Sequence, residues 1–343
     1  MAVTERLDRL QRRHPGAGFP IAVLYKFIDD SGSYLAALIT YYAFVSLFPA
    51  LLLLSTVLGW VLKGNAQLQQ QVLHSALSEF PVIGPQLGEP GRLGGGVAGL
   101  VIGLLGALYG GLGVAQAMQY AMNTAWSVPR NARPNPLKAR GRSLLLLGTV
   151  GLLVLGTTVL SALGSSAAAY GANLGAGLHV LLTLASVLVN AVVFVLGFRV
   201  ATARELTVRD IAPGALIAAV IWQFLQSFGG IYVGHVVKRA SATNGVFALV
   251  LGLLAFLYIA ALVVVLCVEI NVVRVQHLHP RALLTPFTDD VDLTGGDRRA
   301  YTREAKAQRA KGFQRIDVHF DPPDRTAEPR TAEPRPDSSP PTR

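Results

Sequence analysis

Charge and cysteine are what this sequence is short of. Only 15% of its 343 residues are charged, against about 25% in an average soluble domain. That excludes a large water-soluble body as the main part of the chain. There is one cysteine, Cys267. A disulfide within the chain is therefore excluded, and a cysteine-based metal site lacks the thiolates it needs. Cys267 lies in an apolar run and is expected to pack as a small residue. Enzyme motifs are missing too: there is no P-loop, no HExxH and no GxSxG. His277 and His279 are neighbours without an acidic cluster beside them. Ser46, Ser161 and Ser186 have no evident general base. No catalytic residue, metal site or cofactor is expected, and the chain reads as a non-enzyme.

What is present is apolar. Residues of that kind make up 52% of the chain, and they gather in six stretches, 34–62, 94–118, 143–165, 178–198, 211–235 and 245–270. Each is long enough for the hydrocarbon core of a bilayer, about 30 Å or about 20 helical residues. Charge follows the connections. The N-terminal segment carries Arg6, Arg9, Arg12, Arg13 and Lys26; the 63–93 connection has only Lys63 and Arg92. Arg130, Arg133, Lys138, Arg140 and Arg142 stand in the next connection, and 166–177 is uncharged. Arg199, Arg204 and Arg209 mark the one after, and Lys238 and Arg239 a short turn. The alternation predicts an all-α polytopic membrane protein with six transmembrane helices and both termini cytoplasmic. The net charge of +10 then serves orientation and lipid headgroups, not nucleic acid. No cleavable signal peptide is read in the charged first 33 residues.

Three regions are expected. Residues 1–33 form a cytoplasmic or interfacial segment, with short helices at 4–13 and 19–28. Residues 34–275 hold the six-helix domain. Residues 276–343, rich in charge and Pro with TAEPR at 326–330 and 331–335, read as a disordered cytoplasmic tail with a short helix near 298–311. In the first membrane helix Pro49 removes a backbone donor and predicts a kink. The second carries Gly95, Gly99 and Gly103, then Gly106 and Gly110, a small-residue stripe suited to close helix contact. It continues to Trp126, an interfacial anchor. Residues 65–80 read as an amphipathic helix on the outer face.

Polar side chains in lipid are the candidates for function. Gln116, Gln119 and Asn123 share one face of the second helix. Asn190 lies on the fourth, Gln223 and Gln226 on the fifth, and Glu269 and Asn271 on the sixth. The amides have two readings: a polar cavity, or hydrogen bonds between helices. Glu269 is the single acid in the six stretches. It would pair with a base such as Arg199 or Arg142, reach toward the inner surface, or carry a proton or substrate.

The run YLAALITYYAFVSLFPALLLL at 34–54, with Tyr41, Tyr42, Ser46, Phe48 and Pro49, resembles the first helix of the YihY/BrkB membrane proteins. YAMNTAWSVP at 120–129, with Asn123 and Trp126, is similar to the end of that family's second helix. LYIAALVVVLCVEINVV at 257–273, with Tyr258, Glu269 and Asn271, resembles its last helix, although Cys267–Val268 replace the family's Gly–Ala. The resemblance covers about residues 20–280. It implies a six-helix inner-membrane protein and links the chain to virulence or serum resistance and to export of lipid or envelope precursors. The family's old ribonuclease BN label finds no support in these residues. The expected partners are membrane lipids, a lipid or amphiphile as cargo, and a protein partner through the tail. A non-transporting scaffold for envelope or division machinery is the alternative reading.

Overall fold

A computed structural model describes residues 8, 11, 15–61, 96–149, 151, 176–236, 242–285, 288 and 291–321. Among them every regular element is a helix. In chain order these are α1 (Pro15–Asp29), α2 (Gly32–Val61) and α3 (Gly96–Ala125). A 3-10 turn, Arg130–Ala132, leads to α4, which begins at 136 and is described through 149. Then come α5 (Ala176–Ala201), α6 (Val208–Val236), α7 (Ala242–Gln276) and α8 (Gly295–Ala307).

Five of these helices contain stretches long and apolar enough to cross a membrane: Gly32–Ala50, Leu100–Ala125, Thr183–Ala201, Val208–Gln226 and Val250–Gln276. They match five of the six apolar stretches. The other, 143–165, lies mostly outside the described residues, as does the amphipathic segment 65–80. The bundle is apolar outside as well as inside. Large apolar side chains such as Ile102, Leu105, Leu181, Leu184 and Leu188 point outward. So broad an apolar surface would be a liability in water, and it suits a lipid solvent.

Lipid offers helices no hydrophobic drive to associate, so small residues that let backbones approach closely do that work. α3 meets α2 along such a stripe. A Cβ on Gly103 would stand 2.9 Å from the Leu53 backbone nitrogen, and one on Gly106 would stand 2.6 Å from Pro49 Cβ. One on Gly110 would stand 2.5 Å from Ser46 Cα, and Gly113 faces the Tyr42 ring. The glycine stripe read from the sequence is thus the seat for Tyr42, Ser46 and Pro49, and Gly113 extends it by one more turn. Of the earlier glycines in that stripe, Gly95 lies outside the described residues.

α7 is the hub, packing against α1, α2, α3 and α6. Near its C-terminal end the helices converge on one core that includes Met122, Trp126, Phe198, Ile211, Val268, Val272 and Leu278.

The tail corrects an expectation. Among the described residues after 276, the short helix expected near 298–311 is present as α8, and 277–285 are packed rather than disordered, while 310–321 are irregular and largely exposed. Arg281 and Asp297 are fully buried, and α8 opens with a capping box. Thr294 Oγ1 accepts from Asp297 N at 3.1 Å, and the Asp297 carboxylate accepts from Thr294 N at 2.9 Å. Gly296 lets the helix start sit against the backbone of Leu278 and Pro280. High charge predicted disorder because charged chains rarely bury a core. Here the charges are themselves buried: Arg281 pairs with Asp29 on α1 and with Asp297, and Asp297 is held within the tail by Arg281, Ala282 N and Thr294. The TAEPR repeats lie outside the described residues.

Candidate functional site

The site is built where α1 meets the end of α7. α1 begins with Pro15, whose fixed φ and missing N–H suit a first helical position. The helix is apolar enough to pack on α7, and it carries Lys26 inward. Only about 3% of Lys26 is exposed. Its Nζ donates to the Asp30 carboxylate one turn on, and stands 4.0 Å from Glu269 Oε2 on α7. Glu269 is fully buried, and neither of its oxygens accepts a hydrogen bond from a described protein group. Burial alone would pull the Lys26 ammonium down. Glu269 and Asp30 outweigh it and hold the group above its ordinary value.

The sequence offered Arg199 or Arg142 as partners for Glu269, and the structure corrects this. Arg199 is exposed, and Arg142 donates to the Thr202 carbonyl at 3.5 Å. The sequence signal for the true partner was there: Lys26 is the one cation embedded in the apolar run 19–28.

A second buried charge cluster adjoins the first. Arg281 Nη2 donates to Asp29 Oδ2 at 2.9 Å, and its Nε donates to Asp297. Its guanidinium lies over the rings of Tyr25, 5.9 Å from the centroid, and Tyr301, at 5.2 Å. Asp297 also accepts from Ala282 N at 3.0 Å. Burial pulls Arg281 down, but Asp29 and Asp297 hold it above its ordinary value. Burial raises Asp29, with Arg281 only partly offsetting it. Sequence reasoning missed Arg281 and Asp297. Their positions lie in a segment whose composition reads as solvated.

The amides serve two ends. Gln119 Nε2 donates to Ser143 Oγ at 2.8 Å and to the Ala139 carbonyl at 3.1 Å, tying α3 to α4. Asn123 Oδ1 accepts from Ala203 N at 2.8 Å, closing the turn after α5. Asn271 grips the start of α6: its Oδ1 accepts from Gly214 N at 2.8 Å, and its Nδ2 donates to the Ile211 carbonyl at 3.0 Å. All three are buried and join helices. Gln116 is exposed. Asn190, Gln223 and Gln226 are half-buried. Gln223 lies about 18 Å along α6 from Ile211, at 1.5 Å per residue. The structure therefore gathers Gln119, Asn123, Glu269 and Asn271 at one end of the bundle and leaves the other four outside that group. Of the residues carrying the family resemblance, Trp126 is buried with Arg204 over its ring at 5.7 Å, Tyr41 is exposed, and Tyr258 packs half-buried between α2 and α7.

A cleft of about 290 Å³ opens beside these clusters. α1 and the turn after it supply Asp29, Asp30 and Ser31; α3 and the following loop supply Tyr120, Thr124, Ser127, Arg130 and Arg133; α8 supplies Glu304. Two of its lining residues, Ser31 (φ 55°) and Ser127 (φ 50°), hold the left-handed conformation that costs a non-glycine residue energy. Asp30 is common to cleft and cluster, so the cleft touches the buried Lys26–Glu269 pair through one carboxylate. Among the described residues no group of three or more His, Cys, Asp or Glu side chains is placed to hold a metal.

The sequence model of the family described as virulence factor BrkB matches residues 23–288. The match takes in the end of α1 with Lys26, the bundle, Glu269 and Arg281. No curated protein matches the chain, and no solved structure does.

Proposed function

The chain belongs to the virulence factor BrkB family, and from that premise we propose that it is a multi-pass transporter or exporter of a lipid or amphiphilic envelope compound in the cytoplasmic membrane. In this reading six helices cross the bilayer, the third being the 143–165 stretch, and both termini lie in the cytoplasm. The basic loop 130–142 then falls on the cytoplasmic side with the cleft. The protein is not an enzyme and uses no cofactor. With no nucleotide-binding motif in the sequence, uphill movement draws on an ion gradient or a partner.

One observation carries the reading. Lys26, Asp30 and Glu269 bury two carboxylates against one ammonium, next to a cleft, inside an apolar bundle. With all three ionised, the trio holds one uncompensated negative charge. That is expensive in low dielectric, and Glu269, the member of the trio that lies in a candidate span, is an intramembrane ionisable group of the kind that marks ion and substrate paths. A proton taken up from the cleft through Asp30 would neutralise the trio. The α2–α3 contact, smooth because of its glycines, is the surface on which helices would shift.

The test is flux in proteoliposomes. Purified protein should move a short-chain fluorescent phospholipid between leaflets faster than empty vesicles, and Glu269→Gln should remove the gain while remaining folded. Equal rates for wild type and empty vesicles would end the transporter reading. Topology is read separately by thiol labelling of single cysteines introduced in a Cys267→Ser background.

The scaffold alternative depends on a free tail. Arg281, Asp297 and Glu304 are committed to α1 and the cleft, whereas residues 310–321 are largely exposed, so the arm left to a protein partner would begin at about 310.

A further inference from the structure

The cleft has two walls of opposite sign that do not neutralise each other. On one side, Asp29, Asp30 and Glu304 line the cleft, and Glu269 and Asp297 lie fully buried behind them with Lys26 and Arg281. The five carboxylates and two cations of that lining and its backing are negative by three when all are ionised. On the other side, Arg130 and Arg133 come from the loop after α3. Arg133 lies over the Tyr120 ring at 5.6 Å and donates to the Val128 carbonyl at 3.1 Å. Among the described residues no ion pair crosses from these arginines to Asp29, Asp30 or Glu304.

Each wall is also uncomfortable alone. Burial raises the Glu304 carboxyl, and Asp29 and Asp30 raise it further. Burial lowers Arg133, and the neighbouring Arg130 lowers it again. A monopolar ligand would relieve one wall and be repelled by the other. A ligand with both charges relieves both.

We infer that the cleft binds a zwitterionic phospho-ammonium group, its phosphate on Arg130 and Arg133 and its ammonium on Glu304, Asp29 and Asp30. Arginine forks suit phosphate oxygens, and an ammonium is a compact donor that fits between carboxylates. The volume, about 290 Å³, is at the small end of ligand pockets, about 300–1,000 Å³. It takes a headgroup, and the acyl chains of a lipid would stay outside. Calling the bound group cargo rests on the transporter reading; the binding itself does not.

The test is calorimetric titration of the full-length protein in a non-ionic detergent. The probes are dihexanoyl phosphatidylethanolamine, dihexanoyl phosphatidylglycerol, free phosphoethanolamine and inorganic phosphate. The expected order puts phosphatidylethanolamine at least tenfold tighter than phosphatidylglycerol, and phosphoethanolamine ahead of phosphate. Binding of the lipid alone would assign the source to the bilayer, and binding of both would leave free phosphoethanolamine as a ligand too. Glu304→Gln and Arg130→Gln should each weaken zwitterion binding about tenfold or more, the scale of a lost charge-assisted hydrogen bond. Arg130 is exposed, so that variant keeps its fold even if Arg133→Gln does not. Glu304→Gln should also narrow the gap to phosphatidylglycerol. Equal affinity for both lipids, no binding of any zwitterion, or unchanged affinity in both variants would overturn the inference. A protein that binds the headgroup but gives no flux would retain this site and lose the transporter reading.

Discussion

Lys26 is predicted to be the residue whose loss the bundle tolerates least. It is the one ammonium shared by Asp30 and Glu269, and its side chain is 4% exposed, against 5% for Asp30 and none for Glu269. Lys26→Met keeps the apolar stem and deletes the charge. Two buried carboxylates are then left with no cation between them. Removing one partner from a buried pair costs about 3–5 kcal/mol, and here two acids lose the same partner, so the upper half of that range is expected. Glu269→Gln is the opposite change. It removes the surplus negative charge and leaves the Lys26–Asp30 pair intact, so its cost should stay within about 1 kcal/mol, an ordinary value for a near-isosteric change. The double variant should be less harmed than Lys26→Met alone, because only Asp30 is left to compensate. The assay is chemical unfolding in mixed micelles at pH 7, read as a double-mutant cycle. The pH matters little there. Lys26 is raised in the folded state, so its contribution is complete below the ordinary lysine value and is lost only as pH rises through the higher folded one. A Lys26→Met protein as stable as wild type would refute this account of the trio. So would a Glu269→Gln protein as damaged as Lys26→Met.

Gly110→Ala should separate α2 from α3, since its Cβ would stand 2.5 Å from Ser46 Cα and 2.8 Å from Ser46 N. Backbone cannot yield as a side chain can, so a loss of about 1–3 kcal/mol or more is expected, whereas Gly148→Ala, with open space around it, should be neutral in the same unfolding assay. Asn271→Leu should free the start of α6 by stripping Gly214 N and the Ile211 carbonyl of their partner, at about 1–3 kcal/mol for each buried group left unsatisfied, visible as faster amide exchange at Ile211, Ala212 and Gly214. Truncation after residue 321 should leave stability and the cleft unchanged, while truncation after 280 removes Arg281, Asp297 and Glu304 together and should lower both expression and thermal stability. Glu304, raised in the folded state chiefly by burial, opposes folding as pH climbs from the ordinary carboxyl range through its folded value, so Glu304→Gln should flatten the pH dependence of stability across that window and leave the acid side unchanged.

Local pattern made much of this fold readable. Apolar length needs no partner to be interpreted, so all five spans among the described helices fall on stretches visible in the sequence. The glycines at 103, 106 and 110 were legible for the same reason: spacing on one helix fixes a face, and the face predicts close contact. Asn123 and Asn271 could be picked out as polar groups in apolar surroundings. Whether they line a cavity or bind a neighbour depends on which backbone lies opposite, and helical spacing says nothing of that.

What could not be read is long-range charge pairing. Asp29 and Arg281 are 252 positions apart in the chain and 2.9 Å apart in space. Composition sends both to the surface: Asp29 in a charged N-terminal segment, Arg281 at the start of a tail that looks disordered. The rule that places them there, that charges stay in water, fails when each has a partner waiting on another element. Here the partners come as sets, because Lys26, Asp29 and Asp30 lie within five residues on α1 and its following turn. α1 can therefore bury three charges only if α7 brings Glu269 and the tail brings Arg281. The N-terminal segment, the last membrane helix and the tail are thus one electrostatic unit, and the cleft sits on its open side. A chain lacking α1, or cut before Arg281, would lose more than a terminus. It would leave the charges of the other end unpaired beside the site.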